Sequence, residues 1–373
     1  MDFSTAEKMF KQDRVRELAE SPSGLRYLKL RSLSRKEHLR SLFEAAHLAQ
    51  PEKAKAMFRS AFESDKVTAK QIDTAIKAIY ASERSARKKR EPGLVSELYK
   101  MQAFDWGGLH QNSLEKTIVD NYVKKVTDYD TLNSRIDNEL LASMRGYVLR
   151  SWYNHWTSII IEDVFRDHPN VLPAVGQVKK IDFFVRNVPF DLKVTYLPEG
   201  FLKDKRKADG LKPELTRLKG VARACGIKFD KKLNDSALLE DLWKKVDDHP
   251  AKCAQELIAE LRKYRLTALT GSQTDLLSLI RWLYENQGVR RFDASNRLFL
   301  VLVDKSNFFA SWRLKRAKPL LDDKIKAYLD SVGTSPGKRL EFTWESEKYT
   351  VVSDVVFVIH PGDEPAAVHR SRE

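Results

Sequence analysis

The stretch Val178-Lys179-Lys180-Ile181-Asp182-Phe183-Phe184-Val185-Arg186-Asn187-Val188-Pro189-Phe190-Asp191-Leu192-Lys193-Val194 decides how this chain folds. Two β-rich segments, 178–185 and 188–197, flank Arg186-Asn187, a two-residue connection of the kind that closes a hairpin. Strand side chains two positions apart share a face, so Asp191 and Lys193 project together. Pairing of the two strands brings Asp182 towards the same place. Two carboxylates converging among apolar residues repel each other and are costly to desolvate. A divalent cation between them relieves that cost, and oxygen donors suit magnesium.

Upstream, the pattern predicts a long helix from about Asn133 to Asp167, ended by His168-Pro169-Asn170. Val148, Trp152, His155, Ile159 and Glu162 fall on one face at spacings of three and four. Glu162 and its neighbour Asp163 are acids near the end of this helix. His155 reads as a half-buried structural histidine, and Trp152 and Trp156 as core. The region before residue 130 is helical throughout. Leu39, Leu42, Phe43 and Ala46 recur at helical spacing, as do Ile72, Ala75, Ile76 and Ile79. Ser34 and Glu37 resemble a capping box. The basic run at Arg84, Arg87, Lys88, Lys89 and Arg90 meets Pro92-Gly93, expected to break its helix. The Trp106-Gly107-Gly108 turn lies near the end of this helical part.

Downstream, Lys203, Lys205, Arg206 and Lys207 suggest a charged loop, and residues 213–287 return to helical patterning. Leu298 to Val303 is apolar enough for a buried strand at the centre of a sheet. A helix over 317–331 that Gly333 can end, strands at 340–344 and 349–359, and a polar tail follow. The expectation is an α/β chain with a mixed central sheet flanked by helices. It divides into a helical N-terminal region (1–130, for DNA binding or dimerisation), a core (131–361) with a helical insertion at about 200–297, and a flexible tail (362–373).

The hairpin resembles the PD-(D/E)xK nuclease superfamily, which includes many restriction endonucleases. Asp182 matches the first acidic element, with Ile181 where the pattern has Pro, and Asp191-Leu192-Lys193 matches the second. Asp230-Lys231-Lys232 and Asp322-Asp323-Lys324 also match acid-any-Lys but lack apolar strands around them. The resemblance covers residues 140–200, and 298–359 as an order of elements. It implies a restriction-endonuclease-like core and metal-dependent hydrolysis of phosphodiesters in double-stranded DNA. The ion would be Mg²⁺, with Mn²⁺ able to substitute. Asp182, Asp191, the Leu192 backbone carbonyl and Glu162 would ligate it, and Lys193 would orient or deprotonate the attacking water. A restriction or anti-phage role and a homodimer are implied by the same likeness. Repair and recombination nucleases share the core, and a DNA-binding protein that has lost turnover is the alternative. Residues 215–245 also resemble the SAP-type DNA-binding module; a helical insertion packed on the core is the plainer reading.

Composition agrees with a nucleic-acid partner. Among 373 residues, 66 Lys and Arg against 52 Asp and Glu give a formal net charge of +14, which attracts polyanions through counterion release. The basic clusters at 84–90, 203–207 and 313–318 either contact phosphates or form solvated surface. The two cysteines, Cys225 and Cys253, lack zinc-site spacing, which argues against a disulfide framework and a cysteine-rich metal site. The N-terminus lacks the zones of a signal peptide, and no apolar run is long enough to cross a bilayer. A soluble cytoplasmic protein is the expectation.

Overall fold

The computed structural model describes residues 1–103, 114–176, 178, 180–286, 296–344 and 346–362. Lys179, the Trp106-Gly107-Gly108 turn and almost all of the predicted tail lie outside the described residues. Among the described residues, six strands form one mixed sheet: β1 (Val171–Pro173), β2 (Phe183–Val185), β3 (Val188–Tyr196), β4 (Arg297–Asp304), β5 (Lys338–Trp344) and β6 (Glu347–His360), in the order β1-β2-β3-β4-β6-β5. β4 runs parallel to both β3 and β6, whereas β1–β2, β2–β3 and β5–β6 are antiparallel. The apolar run is therefore a central strand, wholly buried from Leu298 to Val303.

Its side chains divide by period two. Leu298, Leu300 and Leu302 pack with Ile161, Val164 and Phe165 of one long helix and Leu321, Ile325 and Leu329 of another. Phe299, Val301 and Val303 pack on the other face against the insertion, including Leu279, Ile280 and Leu283. Helices thus cover both faces, as a central parallel strand requires.

The N-terminal helices are α1 (Phe3–Lys11), α2 (Val15–Ala19), α3 (Pro22–Ser32), α4 (Lys36–Ala45), α5 (Ala54–Glu63) and α6 (Ala69–Tyr99). Their core also includes Leu172, Ala174, Val178, Ile181 and Phe184 from the hairpin region. Lys29 fixes this junction: its Nζ lies 2.8 Å from Asp73 Oδ1 and 2.8 Å from Asn187 Oδ1 in the hairpin turn. That turn has φ 48° at Arg186 and 72° at Asn187, the left-handed pair that matches the twist of a two-residue hairpin.

α7 (Leu114–Ile118) and α8 (Tyr129–Arg135) lead through a π-helical turn, Ile136–Leu140, into α9 (Leu141–Arg166). The insertion between β3 and β4 comprises α10 (Glu199–Ala208), α11 (Glu214–Ala224), α12 (Asp235–Asp247), α13 (Lys252–Thr274) and α14 (Leu276–Asn286). α11, α12 and the first part of α13 share a small core of their own around Leu218, Leu242 and Leu257. A 3₁₀ segment (Phe308–Arg316) and α15 (Lys318–Ser331) join β4 to β5.

Several sequence expectations need correction. α6 continues through Pro92 rather than breaking there; Leu94, Val95 and Leu98 beyond it pack with Tyr153, Ile160 and Trp312, which holds the last turns in place. The charged segment 203–207 is helical, within α10. The strand expected over 178–185 begins only at Phe183, because Lys180 turns left-handed at φ 65° and pairs with Asp13. β1 was missed, being three residues long and directly after a helix. α9 buries Tyr153, Thr157, Ile160, Ile161 and Val164, a stripe beside the predicted one; Val148 is 58% exposed, and His155 is exposed rather than half-buried. Among the described residues, no helix is long and apolar enough to cross a membrane.

Candidate active site

The β2–β3 hairpin brings three of the predicted residues, Asp182, Asp191 and Lys193, beside one peptide group, the N–H of Leu192. Asp182 stands immediately before β2, and its N–H donates to Phe190 O at 2.9 Å. Its carboxylate then accepts from Leu192 N–H, with Oδ2 at 2.7 Å. Asp191 N–H donates to Asn296 O beside β4 at 2.9 Å. Alternation along the strand therefore turns the N–H and carbonyl of Leu192 to the hairpin side, where Asp182 sits. On either side of that residue, Lys193 Nζ and Asp191 Oδ1 lie 2.6 Å apart, the same-face pairing that the spacing predicts.

Burial pushes the Asp182 carboxyl above its ordinary value; the Leu192 N–H opposes this, and the nearby charge of Asp191 adds to it. Glu162 approaches from α9. Its carboxyl is likewise raised, first by burial, with Arg166 pulling it down and Asp182 pushing it up. Arg166 connects the two: it pairs with Glu162 at 2.7 Å and donates from Nε and Nη2 to the Asp182 carbonyl at 3.3 and 3.2 Å. Asp182 thus feels the charges of Asp191 and Lys193 and acts in turn on Glu162, although each predicted acid already has a donor of its own. Among the described residues, no group of three or more His, Cys, Asp or Glu is placed to hold a metal ion.

Asp163, the competing acid, has a different occupation. It is buried and accepts from Arg87 Nε and Nη2, both at 2.9 Å, with Arg84 Nη1 at 3.6 Å. Arg84 also pairs with Glu91 and Asp167. This network holds α6 against α9, so Arg84 and Arg87 are structural members of their basic cluster. The other two clusters divide in the same way. Arg206 is fully buried and donates to Lys212 O, while Arg316 is buried and donates to the carbonyls of Leu98 and Met101. Lys88, Lys89, Arg90, Lys203, Lys207 and Arg313 remain exposed.

Three contributors were not anticipated. Arg166 lies one helical turn after Glu162, a spacing that signals an ion pair. Arg297 starts β4 opposite Asp191, with Nε 3.9 Å from Asp191 Oδ2 and its guanidinium 4.9 Å from the Tyr284 ring centroid. Asn296 is buried; its amide donates to Pro189 O and its side-chain oxygen accepts from Val352 N–H, fixing β3 relative to β6. A charged residue directly before the apolar run Leu298 to Val303 was the available signal for Arg297.

Comparison with protein-family models, curated proteins and solved structures finds no match to this chain.

Proposed function

We propose that the chain is a Mg²⁺-dependent endonuclease that hydrolyses phosphodiester bonds in duplex DNA, with its active site at Asp182, Asp191, Lys193 and Glu162. The observation that carries this reading is the placement of two carboxylates and an ammonium beside Leu192, on a strand flanked by a buried apolar core. The donor set suits magnesium, which commonly uses one or two carboxylates and keeps several waters, so a third protein acid is not required. Asp182 and Asp191 would hold the ion, with the Leu192 carbonyl on the same side and Glu162 binding one of its waters. Bound there, the ion supplies Lewis-acid polarisation of the scissile phosphate.

The chain's own groups do the rest. Lys193 has a side chain 44% exposed, so its ammonium can reach a phosphate oxygen, stabilise the charge developing there and orient the attacking water. Arg166 holds Glu162 and the Asp182 main chain in register. Exposed basic residues and the charge of +14 draw the duplex in, and a homodimer would cut both strands.

Plasmid incubated with purified protein and Mg²⁺ or Mn²⁺ should be nicked or linearised, and EDTA should stop it. Asp191→Asn and Lys193→Ala should each lower cleavage by roughly 100-fold or more with melting temperature nearly unchanged. Cleavage that persists undiminished in both variants would overturn the site. A second reading, DNA binding without turnover, draws on the pairing of Glu162 with Arg166 and of Asp191 with Lys193. It predicts metal-independent DNA binding and no cleavage of any duplex supplied.

A further inference from the structure

β5 ends the sheet. β6 pairs on one side of it, and among the described residues no strand pairs on the other. Such an edge presents a row of main-chain donors and acceptors that another strand can complete. Its register with β6 runs unbroken from Lys338 opposite Ser353 to Trp344 opposite Glu347, so no bulge turns the edge away. Proline is absent from Lys338–Trp344, so every residue keeps its N–H. The edge thus has neither the bulge nor the proline that commonly stops a strand from adding to a sheet.

Its side chains make a self-complementary pattern. Leu340 is buried towards the insertion. Arg339 and Glu341 lie on the opposite face, where their side chains are 68% and 76% exposed and their charged groups stand 4.0 Å apart. In an antiparallel pair, residues directly opposite share a face. When the two strands are identical and related by a two-fold axis through the sheet, one residue lies opposite itself. Centring the pair on Arg339 sets two guanidinium groups against each other, and centring it on Glu341 does the same with two carboxylates. Centring it on Leu340 places Arg339 of each copy opposite Glu341 of the other. Opposite charges so placed attract, and like charges repel.

We infer that β5 pairs with β5 of a second copy, antiparallel and in the register centred on Leu340, so that one sheet continues through a two-fold dimer. Reciprocal Arg339–Glu341 pairs select this register, and the main chain supplies the remaining bonds. Because the strand itself carries both members of each pair, a second copy is the occupant that its charges fit. One strand pair is a small contact, so the dimer is a reversible one. The inference stands on strand order and charge pattern and is independent of the nuclease reading, to whose homodimer it would give a surface.

Analytical ultracentrifugation of the full chain across the micromolar range tests this. The parent should dimerise reversibly. Arg339→Glu leaves two acids on each edge and Glu341→Arg two bases, so each variant alone should associate roughly tenfold or more weakly than the parent. An equimolar mixture of the two variants should regain the parent's affinity, because each copy then meets the opposite charge at both positions. The double variant Arg339→Glu, Glu341→Arg should dimerise as the parent does. Circular dichroism matching the parent's guards against misfolding. A parent monomeric throughout would overturn the inference and leave the edge to a strand of another protein. Dimerisation undiminished in both single variants would place the contact on another surface and overturn it equally. Weakening without recovery in the mixture would overturn the register.

Discussion

Neighbouring residues with the same chemistry carry different burdens here, and Glu162 and Asp163 are the sharpest case. Asp163 is clasped by Arg87 and approached by Arg84, and removing its charge takes from Arg87 its two 2.9 Å bonds between the helices, while Arg84 keeps Glu91 and Asp167. Asp163→Asn should cost about 3–5 kcal/mol of folding stability by urea unfolding. Glu162→Gln should cost less than about 1 kcal/mol while lowering metal-dependent cleavage. The opposite ordering would reverse the assignment of the two acids. Lys315 gives a pH prediction. Its ammonium bonds Asn154 Oδ1 at 2.9 Å, and burial pulls its pKa from 10.5 down to about 8. Between those values the unfolded chain holds the proton and the folded chain has released it, so this group's contribution to stability rises with pH across that window. Below about pH 8 its full cost is present. Lys315→Met should therefore be more stable than the parent at pH 7, by a margin that shrinks towards pH 10. A margin independent of pH would show that the ammonium carries no such cost.

At the scale of elements, the hairpin and the central strand were legible from composition, turn residues and apolar continuity, and the helices from their spacing. Phe183 to Val185 and Val188 to Tyr196 have the right composition and turn, and Leu298 to Val303 has length and continuous apolarity. The misread elements failed for local reasons. Pro92 signals a break, yet tertiary packing of Leu98 and its neighbours holds the helix through it. The stripe on α9 was displaced because Ile159, Ile160 and Ile161 are all apolar, leaving the facing direction to the sheet. Spacing in sequence also concealed the cysteines: the last residues of α11 and the first of α13 bring Cys225 and Cys253 Sγ to 3.4 Å, though they are 28 residues apart. Diamide should oxidise the two thiols to a disulfide, being reduced to its hydrazine, with loss of two hydrogen masses from the protein. Closure of that loop should stabilise the insertion by about 3–4 kcal/mol. Cys225→Ser should abolish both effects, and a failure to crosslink would contradict the packing of these helix ends.

For the whole molecule, total charge was readable but its distribution was not. The net charge of +14 is fixed by composition, yet Arg84, Arg206 and Arg316 are buried as clamps between segments, which no count of basic residues reveals. The candidate site divides similarly. Asp191 and Lys193 follow from strand alternation alone, and Asp182 needed the hairpin register. Arg166 and Arg297 depend on which helix and which strand lie alongside. The edge of the sheet was hidden altogether, since strand order is set by pairings between distant parts of the chain. The N-terminal helices belong to the same structural unit as the hairpin, because Leu172 and Phe184 are buried among them.

The placement of α10 to α14 between β3 and β4 also has a consequence for biosynthesis. The strand that carries Asp191 and Lys193 leaves the ribosome on the order of a hundred residues before its parallel neighbour, a long wait for a non-local pairing. During that interval one side of β3 is an open edge, able to pair with another nascent copy. The small core shared by α11, α12 and α13 can form in the meantime, shortening the free chain that must close before β4 docks. The order of translation thus makes the insertion a folding intermediary.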